Sequence, residues 1–167
     1  MHGHQHLSLF NAHYDERCFS PIHVYDAATG HCVVTILRPG KTPDGKEILG
    51  HLRRLVRRIR RHWTSTVITI RDAGHYGRRE AMDWCEKNAV QYVFGLAKNE
   101  TLDAQVFAKA DEVRTRRATG NLDGVPAYTE TRYAAKSWSH PRRGVARIKA
   151  TRKGLDIRLR RHQHHAL

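Results

Sequence analysis

The alternation of apolar and polar positions divides the chain into strand-like and helix-like segments. Residues 67–70 and 91–96 are apolar runs typical of buried strands, and the segment between them is helix-like. Strand, helix and strand in that order predict a βαβ unit with two parallel strands. Asp72 follows the first strand, and ligands in α/β folds bind at the carboxyl ends of such strands. Asp72 is therefore our first candidate for a metal-ligating and catalytic carboxylate.

Other segments extend this pattern on both sides of the βαβ unit. Residues 21–25 and 31–37 predict a β-hairpin, because both are strand-like and a short turn containing Gly30 separates them. Residues 101–117 predict a helix, and the segments 128–138 and 145–150 predict a second, more basic hairpin. Helices and strands mixed in this order predict a mixed α/β fold whose C-terminal segment is basic and rich in strands.

Residues 46–63 predict an amphipathic helix with a strongly basic outer face. Ile48, Leu52, Val56 and Ile59 recur at helical spacing and form an apolar stripe. Six arginines lie between the apolar positions: Arg53, Arg54, Arg57, Arg58, Arg60 and Arg61. A charged helix face is ordinarily a solvated face. These arginines lack acidic partners at i,i+4 spacing, however, so they repel one another, and phosphate contact would relieve that repulsion.

Composition strengthens the case for a polyanionic partner. The 167 residues suffice for one domain with a core, and 30 Lys and Arg against 16 Asp and Glu give a net charge of +14. Nucleic acid fits better than a membrane surface, because the basic segments are not paired with a wide aromatic face. Basic residues remain in excess toward the C-terminus, where we add Arg142 and Arg143 to the candidate DNA contacts.

The sequence also indicates the cellular location of the protein. It contains no apolar run long enough for a transmembrane helix, and its N-terminus does not resemble a signal peptide. Its three cysteines lack the spacing of a zinc site or a redox motif, so we expect a cytoplasmic protein without a membrane partner. Residues 158–167 form a basic, His-rich tail without apolar periodicity, for which we expect disorder.

Three blocks of sequence resemble DDE-type transposases of bacterial insertion sequences: residues 11–30, 70–88 and 92–97. The resemblance covers residues 3–157 and implies a partial catalytic domain at 1–157 with a ribonuclease H-like fold, a mixed sheet flanked by helices. It implies DNA cleavage and strand transfer, with Mg²⁺ or Mn²⁺ held by two Asp and one Glu. The partners implied are insertion-sequence ends and target DNA near the nucleoid, together with self-association.

The catalytic acids of this family are incomplete in the chain. The first Asp is expected before the block that begins at His2 and is missing. In an ungapped comparison Ala73 takes the place of the second Asp, so Asp72 stands one residue early. The third acid is missing, since no Glu occurs after Glu130. We therefore expect a copy truncated at both ends, inactive and doubtful as a metal binder. The alternatives are an active enzyme, a non-catalytic DNA-binding remnant and an unrelated basic nucleic-acid-binding module.

Overall fold

The computed structural model describes residues 8–72, 74–120 and 124–163, and the chain divides into two units, Met1–Pro43 and Asp44–Leu167. The first unit contains two antiparallel pairs of short strands. Strand β1 (Leu9–Asn11) pairs with β2 (Glu16–Cys18), and β3 (Ile22–Tyr25) pairs with β4 (Cys32–Ile36). The pairing of β3 with β4 confirms the first predicted hairpin. The pair β1 and β2 was not predicted, because three-residue strands carry too little alternation to be recognised.

The second unit combines helices with a mixed sheet. Its elements follow in the order α1 (Gly45–His62), β5 (Thr69–Asp72), α2 (Arg79–Lys87), β6 (Gln91–Leu96), α3 (Glu100–Gly120), β7 (Pro126–Tyr133), β8 (Arg142–Thr151) and β9 (Gly154–Gln163). The strands lie side by side in the order β5-β6-β9-β8-β7. Strands β5 and β6 run parallel, with Thr69 opposite Gln91, and the remaining neighbours are antiparallel.

This architecture confirms the main predictions about the fold. Strand β5, helix α2 and strand β6 form the expected βαβ unit, and β7 and β8 form the second hairpin. A mixed sheet with helices packed against it is consistent with the ribonuclease H-like arrangement that the resemblance implies.

Two apolar clusters hold the second unit together. One joins α1, α2, β5 and β6, and its buried members are Val56, Ile68, Met82, Cys85, Val90, Tyr92 and Phe94. The other packs α3 against β8 and β9, and its buried members are Leu102, Val106, Ala110, Val113, Ala146, Ile148, Ala150 and Leu159. The first cluster packs against β5, the strand that ends at Asp72.

The expected disorder from residue 158 onward needs correction. Residues 158–163 belong to β9, which pairs with both β6 and β8. Leu155, Ile157 and Leu159 alternate as inward-facing strand positions do, and the next position on that face is Arg161, which is also buried. Because Arg161 is charged, the alternation of apolar residues ends before the strand does, and the end of β9 could not be recognised from the sequence. Residues 164–167 lie outside the described part of the chain.

Candidate functional site

Asp72 is the last residue of β5 and lies at the end of the sheet where the chain turns toward α2. It is opposite Phe94 in the parallel register and is half-buried. Arg160, on the central strand β9, donates from Nη1 to the backbone carbonyl of Asp72 over 3.4 Å. The end of β5 is thus held directly beside a cationic side chain.

A cleft of about 510 Å³ opens at the same end of β5 and β6. Basic side chains from three segments line it: His75 and Arg78 before α2, Lys98 after β6, and Arg158 and Arg160 on β9. None of the described residues that line this cleft carries a carboxylate. Such a lining favours an anion and opposes the approach of a divalent metal ion.

A second cluster brings together the carboxylates of Asp83 and Glu86 on α2 and the imidazole of His140, which precedes β8. Their potential ligand atoms lie within 4.8 Å of one another. Arg142 lies between the two carboxylates: its Nη2 is 2.5 Å from Asp83 Oδ1, and its Nε is 2.6 Å from Glu86 Oε1. The hydroxyls of Ser139 and Tyr92 donate to Asp83 and Glu86 at 2.8 and 2.7 Å.

The charges of this cluster stabilise one another. Burial raises the pKa of Asp83, but hydrogen bonds from Ser139 and Arg142 outweigh it and leave that pKa lowered. Burial likewise raises the pKa of Glu86, and donation from Arg142 and Tyr92 lowers it to a greater extent. Arg142 is only 5% exposed; burial opposes its charge, but both carboxylates raise its pKa overall. The cluster is therefore an ion-pair network that ties α2 to the turn between β7 and β8.

Helix α1 presents its arginines in a different setting. Asp44 caps its N-terminus by accepting from Glu47 N at 2.8 Å, and Ile48 and Val56 anchor its inner face. Five arginines on the outer face are exposed: Arg53, Arg54, Arg57, Arg58 and Arg61. Within the described ranges, none of these five forms an ion pair or a side-chain hydrogen bond. We call this set the α1 arginine face.

The other three arginines predicted to contact DNA have partners within the protein. Arg60 is half-buried and donates to the carbonyl oxygens of Asn88 and Ala89 at 2.8 and 3.3 Å. Arg142 is enclosed by the ion-pair network, which argues against a DNA contact. Arg143 is exposed but forms an ion pair with Glu130. The structure thus separates the eight predicted arginines into a free face and three internally bonded residues.

The family model for the transposase DDE domain, group 1, matches residues 1–161. The chain belongs to this transposase family. No curated protein and no solved structure matches it. Family membership supports a function in DNA transposition, DNA as the partner and the use of divalent metal ions. Within the described chain, no helix is long and apolar enough to cross a membrane.

The metal expected for the transposase family does not fit the donors that the described residues offer. Hard cations such as Mg²⁺ require several oxygen ligands, and two-metal chemistry requires clustered carboxylates. Asp72 is the carboxylate at the end of β5, and the cleft beside it is lined by cations. The carboxylates of Asp83 and Glu86 already accept from Arg142, whose fixed charge would repel a metal ion. Ala73, which takes the place of the family's second acid, lies outside the described residues.

Sequence reasoning missed both the cationic cleft and the ion-pair network. Arg142 is separated from Glu86 and Asp83 by 56 and 59 residues, so no local pattern connects them. A partial signal existed for the cleft, since His75 and Arg78 follow β5 and Lys98 follows β6 at the carboxyl ends of parallel strands. The cations of β9 could not be placed there before the strand order was known.

Proposed function

We propose that this chain binds DNA through the α1 arginine face and does so without metal-dependent cleavage. The observation that carries the proposal is the exposure of five arginines on one helix, with no acidic partner among the described residues. Transposition is the activity of the family, and DNA is the polyanion that this activity supplies. The proposed role of the chain is the DNA-binding part of that activity.

The arrangement of the arginines suits a phosphate backbone. Arg53, Arg57 and Arg61 follow one another at i,i+4 spacing along about 12 Å of helix, and Arg54 and Arg58 form a neighbouring row. Like charges at this spacing destabilise an isolated helix, and contact with phosphates converts the repulsion into attraction. The rows therefore favour sequence-independent contacts with successive phosphates.

The helix is held firmly enough to present this face as a rigid surface. Ile48 and Val56 are each 2% exposed, and Arg60 connects α1 to the end of α2 through two backbone carbonyls. Partner groups that are fixed before binding lose less conformational entropy on association. Arg60 thus contributes to DNA binding by positioning the helix, and the five exposed arginines supply the phosphate contacts.

The absence of metal-dependent cleavage is the second half of the proposal. Among the described residues, Asp72 does not belong to any cluster of three or more metal-ligating side chains. A single carboxylate beside a cationic cleft supplies too few oxygen ligands for two divalent ions. Mg²⁺ or Mn²⁺, the ions expected for the family, would therefore bind this site weakly.

Fluorescence anisotropy with a labelled DNA duplex at several salt concentrations tests the binding proposal. Five phosphate contacts predict a slope of log K against log salt of about −4 to −5. We expect the triple variant Arg54→Gln/Arg58→Gln/Arg61→Gln to reduce the magnitude of that slope by about 2 to 3 and to weaken binding at every salt concentration. Circular dichroism should show unchanged helix content.

A matched control removes the same charge elsewhere. Arg114, Arg116 and Arg143 each form an ion pair, with Asp111, Glu112 and Glu130 respectively. Their triple substitution to Gln lowers the net charge equally and should leave the salt slope close to that of the wild type. Equal slopes for the two triple variants would show that only total charge matters and would remove α1 as the DNA-binding surface.

Nicking of a supercoiled plasmid in Mg²⁺ or Mn²⁺ tests the catalytic half. We expect no metal-dependent nicking by the purified chain, and no difference between the wild type and Asp72→Ala. Nicking that requires the metal and disappears in Asp72→Ala would overturn this half and place further acids at the end of β5. DNA binding by the α1 arginine face would be unaffected by that outcome.

A further inference from the structure

We propose that the cleft at the carboxyl ends of β5 and β6 is a phosphate-binding site, separate from the α1 arginine face. Its ligand is a phosphate group, supplied either by a nucleic-acid strand or by a free nucleotide. This inference does not depend on DNA binding by α1, because the two surfaces share no residue.

The first support is the composition of the cleft. The cleft has five basic side chains. One of them, Arg158, is already paired with an acid, since its Nε lies 3.2 Å from Asp156 Oδ2. Arg78 and Lys98 are exposed and form no ion pair within the described part of the chain. They approach the cleft from different loops, one before α2 and one after β6. Convergent cations from separate elements are the usual protein contribution to an oxyanion site.

The second support is Arg161, a buried cation behind the wall of the cleft. It is 5% exposed, and its Nη1 and Nη2 donate to the carbonyl oxygens of Gly77 and Gly95 at 2.7 and 2.6 Å. Gly95 lines the cleft, and Gly77 directly precedes Arg78. The buried Nε has no hydrogen-bond partner, and Arg161 forms no ion pair with a described carboxylate. The face of the Trp138 ring lies 4.9 Å away.

A buried cation without a counter-ion is electrostatically costly. A negatively charged ligand in the adjacent cleft would reduce this cost. Burial lowers the pKa of Arg161 to about 10, and the positive charges of Arg142 and Arg78 contribute to that shift. Partial compensation comes from the two backbone carbonyls and from the Trp138 ring. An anion bound beside Gly95 and Arg78 would stabilise the remaining positive charge at short range.

Phosphate fits these cations better than other ligands do. A divalent metal ion would face at least four positive side chains, and an apolar ligand would leave all of them unpaired. A phosphate oxyanion offers several acceptor oxygens and a charge close to −2 when it is a monoester. Its oxygens are acceptors that match the donors of Arg78, Lys98 and Arg160, which all line the cleft.

The proposal is tested by adding pyrophosphate to the chain at constant ionic strength and measuring the Tm at each concentration. We expect pyrophosphate to raise the Tm of the wild-type chain above its value in sodium chloride, because a ligand that binds only the native state stabilises it. The double variant Arg78→Gln/Lys98→Gln changes only exposed side chains and should lose about tenfold or more in affinity. An equal rise in Tm for the wild type and the double variant, or no rise in either, would overturn the site.

The matched control is Arg54→Gln/Arg58→Gln on α1, which removes the same charge from the other surface. We expect it to retain the full pyrophosphate response while losing affinity for duplex DNA. Loss of duplex binding with a normal pyrophosphate response separates failure of the cleft from failure of the α1 arginine face. A pyrophosphate response lost equally in both double variants would mean diffuse charge screening and would contradict a defined cleft.

A measurement on the wild-type chain covers the case in which the double variant does not fold. Acetylation of Lys98 by an amine-reactive reagent, followed by mass spectrometry, should slow several-fold in pyrophosphate. The rate at the exposed Lys136, which lies outside the cleft, should stay constant. Slowing at both lysines to the same extent would contradict the proposal.

The source of the phosphate is distinguished by comparing ligands. Adenosine monophosphate that binds as tightly as a short single-stranded oligonucleotide identifies a free nucleotide as the ligand. Tighter binding of the oligonucleotide, lost in Arg78→Gln/Lys98→Gln, identifies a strand phosphate. A 5′-phosphorylated strand that binds better than its 5′-hydroxyl counterpart narrows this to a strand end. Failure of both ligand classes to compete with pyrophosphate would contradict either source.

Discussion

The α1 arginine face and Arg142 place the same side chain in opposite environments. The five arginines of α1 are exposed and have no acidic partner within the described chain. Arg142 is buried between Asp83 and Glu86 and bonds to both. The same charge that stabilises the fold at one location is available to a ligand at the other. What distinguishes them is the distribution of the few acidic side chains, of which α2 supplies two to Arg142.

The largest expected effect comes from breaking the ion-pair network. Arg142→Met keeps much of the side-chain volume but removes the buried cation that Asp83 and Glu86 share. Among the described residues, the more exposed Arg79 and His140 then remain as their basic neighbours. We expect it to lower the free energy of unfolding by about 3 kcal/mol, measured by urea denaturation. Arg143→Met is the control, because its pair with Glu130 is exposed and should cost less than about 1 kcal/mol. Equal losses for the two variants would contradict the structural role of Arg142.

Acid should weaken the same network. The folded pKa values of Asp83 and Glu86 lie below their ordinary values of 3.8 and 4.5, so the carboxylates add stability above that range. This contribution is lost as the pH falls through the lowered folded values. We expect the urea midpoint to hold from pH 7 to pH 5 and to fall at lower pH. The variant Asp83→Asn/Glu86→Gln should show a shallower acid decline, with the remainder due to carboxylates elsewhere. A decline as steep as that of the wild type would contradict the assignment.

A third change gives the α1 arginine face an acidic partner of the kind that Arg142 already has. Arg57→Glu places a carboxylate four residues from both Arg53 and Arg61. We expect the helix to gain about 0.5 kcal/mol, while duplex DNA binds more weakly and with a shallower salt dependence. Arg57→Gln serves as the control, since it removes the charge without adding a partner. Stronger DNA binding by Arg57→Glu would contradict the phosphate-contact role.

The smallest expected effect is at Asp72. Asp72→Asn removes one negative charge beside the cationic cleft and should change the Kd for pyrophosphate by no more than about threefold, toward tighter binding. We expect the free energy of unfolding to stay within about 0.5 kcal/mol of the wild type. Weaker pyrophosphate binding in Asp72→Asn, measured in the presence of Mg²⁺, would indicate that a metal ion at Asp72 mediates the interaction.

Local patterns were sufficient to predict much of the fold. The apolar runs around Ile70 and Val93 and the stripe through Val56 are repeats over a few residues, and they gave the βαβ unit and α1. The C-terminal part of β9 was expected to be disordered, because Arg161 occupies an inward position where an apolar residue would continue the alternation. A cation is inferred to be inward-facing only when its partners are known, and those partners are backbone carbonyls of distant segments.

The candidate site was less predictable for the same reason. Asp72 could be placed at a strand end from the sequence, since strand and turn are local features. Arg53 and Arg142 could not be told apart, because the sequence shows two arginines in basic segments and does not show which carboxylates approach them. The cleft required the strand order, which brings Arg160 of β9 beside the end of β5. Long-range pairing, rather than residue type, determined which charges remain available.

The central position of β9 has a consequence for how the chain folds during its synthesis. Strands β5 and β6 can pair early, and β7 and β8 can form a hairpin, but among the described strands only β9 joins these two pairs. Its register brings Gln163 opposite Tyr92, so a long loop must close before the sheet is complete. Until the ribosome has released residue 163, the edges of β6 and β8 stay open to strands of other chains. Translation speed over α3 and the second hairpin would therefore influence how much of the protein reaches its native state.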